Sequence, residues 1–350
     1  MAHIENYLPA LEYKVITSES PDKWLNYVRK AVNYDFYHTL HYHTLDKRGD
    51  PILFVYEEGE TFIALPLLKR RIEPVNYSDF TSSYGYAGPI SNEKFEALSN
   101  SLIENFKNSF FSFMKENQAI SVFSRLNPFI NQSFLLEKIG GLRSNGRTIY
   151  MDLTQSLEEQ RARYDKRLYR QIRQLRKKEY LIKEANTQEE IRLFTSMYNQ
   201  NMLRLSADKS YFFDEAYFTS LLNNPDLKCT LILIYDGDEM ICGSTIIWTD
   251  SIIRNHLSAT SASHIHLSPS KLLTDEISVI GRTLGMKYFH LGGGVGGKED
   301  TLFMFKSLFS DLFLEDYIWC YIADEQAYDQ LVEQKKVNPD SNYFPLYRSI

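Results

Sequence analysis

The distribution of apolar residues predicts an alternation of strands and helices along most of the chain. Two strands at residues 52–56 and 61–68 flank a turn centred on Gly59. A helix follows at 95–113, where apolar side chains recur close to every 3.6 positions, and a further strand is predicted at 119–126. Strands and helices of these lengths, mixed along one chain, are typical of the α/β classes of fold.

The second half of the chain repeats this order of elements. Gly237 takes the place of Gly59 in the turn of a second hairpin. The predicted elements are strands at 230–235, 240–248, 251–260 and 287–291 and helices at 271–284 and 301–309. Two copies of one α/β unit explain the repetition, and we place the boundary so that residues 1–150 and 151–350 form one domain each.

A glycine-rich segment separates the last predicted strand from the last predicted helix. Five glycines lie between Gly292 and Gly297, and Lys306 occupies an otherwise apolar stretch of the helix behind them. A strand that ends in glycines and continues as a helix brings bare backbone and a helix N-terminus to one place. That geometry suits a phosphate, a carboxylate or a reacting carbonyl group.

Composition and charge indicate a globular protein without a membrane span. The chain is 43% hydrophobic and 24% charged, and its net charge of −6 argues against a protein that coats nucleic acids, DNA included. Its longest apolar runs are too short to cross a bilayer, and its first residues do not resemble a signal peptide. We therefore expect a cytoplasmic protein, with peripheral association at a membrane left open.

One segment is strongly basic. Residues 157–180 are predicted as a single helix whose apolar stripe packs inward and whose other faces are cationic. An ordinary solvated surface is one explanation. The excess of basic over acidic residues favours the other, in which Arg170, Arg173 and Lys177 contact a polyanion such as tRNA.

Neither the histidines nor the cysteines predict a metal site. His38, His41 and His43 lie close together, but no Cys, Asp or Glu stands within residues 36–43, and the neighbouring tyrosines favour packing. The three cysteines match no zinc or redox spacing, and Cys229 and Cys242, which lie in apolar, strand-like runs, are interpreted as buried thiols.

Several motifs, in order, resemble the FemAB-type proteins of the GNAT acyltransferase superfamily. This group includes peptidoglycan-bridge aminoacyltransferases and acetyltransferase-like proteins of polysaccharide gene clusters. The likeness covers nearly the whole chain. The matching segments are residues 84–89, 151–154 with the basic helix behind them, 198–218, 257–260, 267–273, 291–294, 305–309 and 343–348.

The resemblance implies a fold of the α/β (α+β) class. It implies two tandem GNAT-like domains, each a mixed, mostly antiparallel twisted sheet flanked by helices. The N-terminal domain would be degenerate, and the C-terminal domain would carry the acyltransferase site. It further implies transfer of an acyl group to an amine, with acyl-CoA or aminoacyl-tRNA as a co-substrate and no tightly bound cofactor. One departure is notable: loop 261–270 contains no glycine, whereas acetyl-CoA enzymes of the superfamily hold the pyrophosphate with a glycine-containing loop.

Candidate catalytic residues follow from the chemistry of this reaction. Because no Cys/His or Ser/His nucleophile arrangement stands out, we expect the amine to attack the acyl carbonyl directly. Lys306 is the first candidate for stabilising the charge that develops. His256 and His290, on neighbouring predicted strands, are candidates for accepting a proton or orienting the acceptor.

Binding residues are predicted on two sides of the site. The donor side consists of Ser270, Lys271, Gly292, Gly293 and Gly294, and the acceptor side of Tyr84, Tyr86, Arg204 and Tyr211.

Three functions stay open at this point. The first is an N-acyltransferase that modifies a small-molecule, lipid-linked or nucleotide-linked amine of a cell-envelope or polysaccharide precursor. The second is a tRNA-dependent aminoacyltransferase acting on a peptidoglycan precursor. The third is a non-catalytic binding protein that keeps the fold.

Overall fold

The computed structural model describes residues 12–338 and 341–349 of the chain. Contacts within it define two compact units. The first consists of the residues up to Ser144 together with those from Tyr317 onward, and the second is Asn145–Asp316.

The first unit contains a sheet of six principal strands in the order β1-β2-β3-β4-β6-β13, with the short β5 paired to β3. All principal neighbours are antiparallel except β4 and β6, which are parallel. Its elements up to residue 139 are β1 (Tyr13–Thr17), α1 (Pro21–Lys30), α2 (Leu40–Leu45), β2 (Asp50–Glu58), β3 (Thr61–Ile72), β4 (Tyr77–Thr81), β5 (Ile90–Ser91), α3 (Asn100–Glu116), β6 (Ala119–Arg125) and α4 (Gln132–Ile139).

The second unit has the same kind of sheet, in the order β7-β12-β11-β10-β9-β8. Here β11 and β12 are the parallel pair, and the other neighbours are antiparallel. Its elements are β7 (Leu142–Asp152), α5 (Leu157–Ala162), α6 (Lys166–Arg176), β8 (Leu181–Glu184), α7 (Gln188–Arg204), α8 (Glu215–Leu222), β9 (Lys228–Asp236), β10 (Glu239–Thr249), β11 (Ile252–Thr260), α9 (Pro269–Thr283), β12 (Tyr288–Gly292) and α10 (Thr301–Ser307). The chain ends with β13 (Phe313–Ile322) and α11 (Glu325–Lys335).

The two sheets share one topology, which confirms the predicted fold class of two repeated α/β units. Each has four antiparallel strands, then a parallel neighbour, then a sixth antiparallel strand. The sixth strand of the first sheet is β13, which follows α10 in the chain, and that of the second is β7, which follows α4. The assignment of residues 151–350 to one acyltransferase domain stays a prediction.

Aromatic packing fills the core of the first unit. Phe106, Phe110 and Phe113 recur on the inner stripe of α3 and are nearly inaccessible to solvent. They pack against Phe54 and Phe80 of the sheet with ring centroids 5.0–5.9 Å apart. The side chains that recur with the predicted helical period are therefore the ones that face the core.

Helices cover both faces of the second sheet. Residues of α6, α9 and α10 share a core with Ile253 of β11 and Phe289 of β12. Residues of α7 and α8 pack with Leu257 on the opposite face. Side chains of β11 therefore pack into two hydrophobic cores, one on each face of the sheet, as expected for a strand covered on both sides. In the described part of the chain, no helix has the length and apolar character needed to cross a bilayer.

The prediction of one basic helix over residues 157–180 is wrong. The chain forms α5, breaks at residues 163–165 and restarts as α6. The Asp165 carboxylate accepts hydrogen bonds from the backbone N–H groups of Arg167 and Leu168, at 2.8 and 3.1 Å. Asp165 is therefore an N-cap, which satisfies donors that a continuous helix would have bonded to the preceding turn.

Two of the three clustered histidines are fully buried in the first unit. The His43 Nδ1 lies 3.0 Å from the carbonyl oxygen of Thr39, and the His43 ring packs 5.6 Å from Trp24. No group of three potential metal ligands occurs within residues 12–338 and 341–349. The described contacts of His43 are those of a packed side chain.

We expect the protonation of His43 to make the free energy of unfolding depend on pH. Burial lowers the pKa of His43 from 6.5 to about 4, so between these pH values the unfolded chain binds a proton that the native ring does not. The contribution to stability is complete above pH 6.5 and is lost as the pH falls to 4, with a total of about 3 kcal/mol. Urea unfolding at pH 7, 5 and 4 measures it.

His43→Asn retains a donor for the Thr39 carbonyl and cannot titrate in this range. The variant should lose less stability between pH 7 and 4 than the parent chain. His266→Asn, at an exposed position, is the control and should leave the pH slope unchanged. Equal slopes for the His43 variant and the parent would contradict the burial argument.

Candidate active site

The parallel strands β11 and β12 diverge toward their carboxyl ends. They pair only through Ile252–Arg254 of β11 and Tyr288–His290 of β12. Beyond these residues β11 continues beside β10 as far as Thr260, and β12 runs beside β7 into the glycines. We call the opening between the two strand ends the fork. Clefts outside the carboxyl ends of parallel strands are common ligand sites in α/β proteins.

A buried arginine and a buried histidine face each other where the fork begins. Arg254 and His290 are both 2% exposed. The Arg254 guanidinium contacts Nδ1 of His290. Because an arginine only donates, Nδ1 of His290 acts as the acceptor. While this contact holds, the Nδ1 lone pair of His290 is not available for taking a proton from an amine.

His256 occupies an irregularity in β11. Thr245 pairs with Leu257, but Ile246 pairs with Asn255, so His256 is the extra residue of a β-bulge. Its Nε2 lies 3.0 Å from the hydroxyl of Tyr217 in α8. Burial, and to a smaller extent nearby Arg254, lowers the pKa of His256 to about 3. The ring is therefore neutral at pH 7 and shares a hydrogen bond with the Tyr217 hydroxyl. So weak a base removes few protons from an alkylammonium group.

The predicted glycine segment lies at the end of β12 and packs closely against backbone. Gly292 has φ +79°, a conformation that other residues adopt at a cost, and Gly292–Gly294 are all buried. A Cβ on Gly293 would stand 2.8 Å from the carbonyl oxygen of Arg147, and one on Gly294 would overlap the carbonyl of Lys298. Close packing alone therefore requires glycine at these two positions; a donor-binding role for them stays a prediction.

Asp300 closes the glycine segment and begins the next helix. Its carboxylate accepts hydrogen bonds from the backbone N–H of Val295, at 3.0 Å, and from that of Phe303, at 2.9 Å. The first bond fixes the turn at Val295–Gly297, and the second caps α10. The position of α10 relative to the end of β12 is thereby set by one side chain.

Lys306 projects from α10 toward the backbone directly after β12, one of the two strands that form the fork. Its Nζ donates a hydrogen bond of 2.6 Å to the carbonyl oxygen of Gly293, and its side chain is half-buried. A positive charge is thus held beside the glycine backbone in a partly desolvated place. Electrostatic interactions are stronger there than at an exposed position.

The predicted donor residues Ser270 and Lys271 lie in the first turn of α9. The Ser270 carbonyl accepts a hydrogen bond from the hydroxyl of Thr274. The Lys271 Nζ donates to Oε1 of Gln171 in α6, at 2.7 Å. Lys271 therefore joins the start of α9 to the basic helix.

The four predicted acceptor residues are divided between the units. In the first unit, the Tyr84 ring is 40% exposed, whereas Tyr86 is buried beneath the guanidinium of Arg125 at 4.3 Å. In the second unit, Arg204 is exposed at the end of α7, and the carbonyl of Tyr211 accepts a hydrogen bond from Tyr198. The acceptor role of all four stays a prediction.

Arg170, Arg173 and Lys177 project from the exposed side of α6 or the residue after it. The apolar stripe opposite them, Leu168, Ile172 and Leu175, is buried as expected.

The sequence analysis did not identify Arg254, Asp300 and Tyr217, which contact or position the candidate site residues. Arg254 is a detectable signal, because no other Asp, Glu, Lys or Arg occurs in residues 252–260. Asp300 was another, since an acidic residue directly before a helical pattern predicts an N-cap. No local pattern links Tyr217 to His256, because their contact joins residues 39 positions apart.

Comparison with known protein families gives a match within the second unit. Residues 161–300 match the acetyltransferase (GNAT) domain family. No curated protein sequence matches the chain significantly.

Solved structures support the same fold over most of the chain. A crystal structure of FemX is 13% identical, has a TM-score of 0.69, and aligns over 91% of this chain and 99% of that one. The structure of L-PGS from Bacillus licheniformis is 14% identical, with a TM-score of 0.56 over 87% and 92% of the two chains. The C-terminal domain of a candidate lysylphosphatidylglycerol synthetase from Agrobacterium fabrum is 16% identical, with a TM-score of 0.52 over 86% and 90%. At these identities the likeness establishes the fold alone.

Proposed function

Since residues 161–300 match the GNAT acetyltransferase domain family, we propose that the chain transfers an acyl group to an amine of a cell-envelope or polysaccharide precursor by direct attack of the amine. The observation that carries the proposal is Lys306, whose ammonium group is held against the Gly293 carbonyl at the end of β12.

The proposed reaction needs charge stabilisation more than it needs a nucleophilic side chain. The acceptor amine attacks the acyl carbonyl, and the carbonyl oxygen becomes negatively charged in the tetrahedral intermediate. Lys306 is the group proposed to stabilise that oxygen, because a preorganised cation in a partly buried site loses little energy to solvent reorganisation. No covalent enzyme intermediate is required.

The three free cysteines support direct attack. Burial raises the pKa of Cys242 to about 12 and that of Cys320 to about 11, and it raises the pKa of Cys229 as well. At pH 7 these thiols are protonated, and a protonated thiol is a poor nucleophile.

His256 and His290 are assigned to orientation in this proposal. His290 is engaged by Arg254, and the low pKa of His256 suits a neutral hydrogen-bond partner of Tyr217 better than a general base. The proton lost by the amine then passes to the leaving group or to solvent. The donor residues Ser270 and Lys271 and the acceptor residues Tyr84, Tyr86, Arg204 and Tyr211 keep their proposed roles.

A donor and acceptor matrix tests the function. The purified chain is incubated with acetyl-CoA, a long-chain acyl-CoA or aminoacyl-tRNA, each combined with an amino-sugar nucleotide or a nucleotide-linked peptidoglycan precursor. Mass spectrometry should detect an amide product whose mass increase equals the acyl group for at least one pair. If no pair yields an amide and no donor shifts the melting temperature, the proposal is wrong.

A further inference from the structure

The first half of β7 lies directly against the glycine segment at the end of β12. A Cβ on Gly146 would overlap the carbonyl of Gly297, and one on Gly297 would overlap the carbonyl of Asn145. Gly293 meets the carbonyl oxygen of Arg147 in the same way. Glycine is the residue that permits so close an approach of two backbones. This part of β7 therefore borders the candidate site.

Arg147 places a positive charge at this border. It is two positions before Ile149 on β7 and so shares its face of the sheet. Ile149 packs into the same core as Phe303 of α10. The guanidinium carbon of Arg147 lies 5.9 Å from the centroid of the Phe303 ring and 4.5 Å from that of Phe313. Contact with aromatic rings orients the planar guanidinium group, which then loses less freedom when it binds a ligand.

Arg147 and Lys306 reach the end of β12 from different elements. Phe303 and Lys306 are three positions apart on α10, and side chains at that spacing are neighbours, with Cβ atoms about 5–6 Å apart. Arg147 contacts the ring of Phe303, and Lys306 donates to the Gly293 carbonyl. A group bound at Arg147 would therefore lie close to the charge that is proposed to stabilise the reacting carbonyl.

A carboxylate already occupies the Arg147 guanidinium. Both Nε of Arg147, at 3.1 Å, and Nη2 donate to Oε1 of Glu299. Nη1 of Arg147 has no hydrogen-bond partner among the residues that the structure describes. A guanidinium group has five N–H donors. Arg147 therefore has more donors than Glu299 uses, and they suit a planar oxyanion.

Glu299 has no structural task that would keep it in this position. Within residues 12–338 and 341–349, its side chain bonds only to Arg147. The neighbouring Asp300 differs, because its carboxylate accepts two backbone N–H groups that fix the turn and cap α10. Arg147 and Glu299 are 36% and 51% exposed, and ion pairs at such exposure contribute little to stability. A ligand oxyanion can therefore replace Glu299 at small cost.

We infer that Arg147 binds a carboxylate of the amine acceptor, and that Glu299 holds this position until the acceptor displaces it. This rests on the proposed function. The bound carboxylate anchors a part of the acceptor that does not react, so that the amine is oriented toward the carbonyl beside Lys306. The acceptor is then an amine that also carries a carboxylate, such as an amino-acid residue of a precursor.

A carboxylate fits this position better than a phosphate group does. Glu299 shows that one carboxylate oxygen can accept two N–H groups from the same edge of Arg147. A carboxylate carries one negative charge, which one guanidinium group matches. A phosphate monoester carries about 1.5 to 2 negative charges, so part of its charge would stay unmatched. In the proposed mechanism Lys306 is reserved for the reacting carbonyl and does not supply the second positive charge.

NMR of the arginine side chains tests the site without an activity assay. The Nε–H signal of Arg147 is assigned by its loss in Arg147→Gln, and the probe is glutarate, added at constant ionic strength so that screening does not change. In the parent chain the signal should shift saturably. In Glu299→Gln the half-saturating concentration should fall about 3- to 10-fold, because removal of one contacting charge has an effect of this order in water.

The matched control is an exposed ion pair elsewhere in the second unit, between Glu189 and Arg192 of α7. Glu189→Gln removes the same charge as Glu299→Gln and should leave the glutarate affinity at Arg147 unchanged. In the parent chain the Nε–H signal of Arg192 should show no saturable shift. Arg147→Lys keeps the charge but loses the planar fork, so it should bind glutarate more weakly than the parent chain.

Kinetics then link the site to the reaction. The acceptor found in the product assay is compared in two forms, the free acid and the carboxamide. Arg147→Gln should raise the KM for the acid about tenfold or more, as expected for the loss of hydrogen bonds between charged groups. The KM for the carboxamide should not change, because that form has no charge for Arg147 to bind.

Several results would overturn the inference. One is the absence of a saturable shift of the Arg147 signal with glutarate, and another is equal affinity in Glu299→Gln and the parent chain. Saturation by inorganic phosphate but not by glutarate would contradict the carboxylate, as would an acceptor without a carboxylate or an equal rise in KM for its two forms. Glutarate binding that Glu299→Gln strengthens, without any amide product in the donor and acceptor matrix, would instead refute the proposed function and leave the carboxylate site standing.

Discussion

Lys306→Ala is expected to lower kcat about 10²- to 10³-fold, as does the loss of one group that stabilises an oxyanion. The lysine ammonium is the positive charge that the structure holds against the Gly293 carbonyl, 2.6 Å from its oxygen. An interaction made mainly in the transition state lowers kcat with little change in the KM for the amine. Single-turnover measurement with the donor and acceptor pair found in the product assay separates chemistry from product release.

Two further variants distinguish charge from positioning. Lys306→Gln keeps a donor for the Gly293 carbonyl but removes the charge, so it should remain as slow as the alanine variant. Lys298→Ala removes an exposed lysine from the same loop and should leave kcat within twofold. All three proteins should melt within a few degrees of the parent. A Lys306→Ala enzyme with normal kcat would exclude this residue from the mechanism.

Asp79→Asn is expected to destabilise the first unit by about 3–5 kcal/mol, the usual cost of leaving a buried charge uncompensated. The Asp79 carboxylate is fully buried. It accepts hydrogen bonds from Arg70 at 2.6 Å, Tyr347 at 2.8 Å and Arg348 at 2.6 Å. Removal of its charge leaves Arg70, only 7% exposed, without its ion-pair partner. Urea unfolding at pH 7 measures the loss.

The matched control is Asp50→Asn, at the exposed start of β2. It should change stability by less than about 0.5 kcal/mol, as is usual for surface positions. The C-terminal segment gives a second readout, because Tyr347 and Arg348 are bound through Asp79. Limited proteolysis should cleave this segment earlier in the Asp79 variant. A fall in stability no larger than that of the control would show that the ion-pair cluster adds nothing to folding.

The repeat was predictable because its signals are local. Two apolar runs on either side of Gly59, and again of Gly237, predict a hairpin. Both glycines have a positive φ in the structure. The strands at 251–260 and 287–291 were predicted to within one residue of β11 and β12 at each end. Hydrophobic periodicity depends on burial of the local face, so it was sufficient for these elements.

Strand order was not predictable in the same way. β13 completes the first sheet by pairing residues 318–322 with 121–125, almost 200 positions away. No turn or short connection specifies that register, and the segment 313–322 carried no predicted element. Long-range pairing is decided by which sheet edge can bury the strand, a property of the assembled core.

Lys306 stands out in the sequence because it is a lysine in an otherwise apolar helical stretch behind several glycines. The fork could not be predicted from the sequence, since it depends on the point at which β11 and β12 stop pairing. The same holds for the bulge that places His256 beside Tyr217. A bulge is one unpaired residue in a ladder, and it is visible only when the register of both strands is known.

Residue type and local spacing determined the two α/β copies, the glycine segment and the surplus of positive charge after residue 157, because each depends on neighbours within a few turns of chain. Tertiary structure decided how those features are used. It showed which cations of the basic segment pair with Asp275, Glu276 and Asp311 and which have no ion pair among the described residues. It also showed that the N–H groups of His264 and Ser268 donate to carbonyl oxygens within the loop after β11. The ion pairs join segments that are distant in the chain, so the order of residues alone does not specify them.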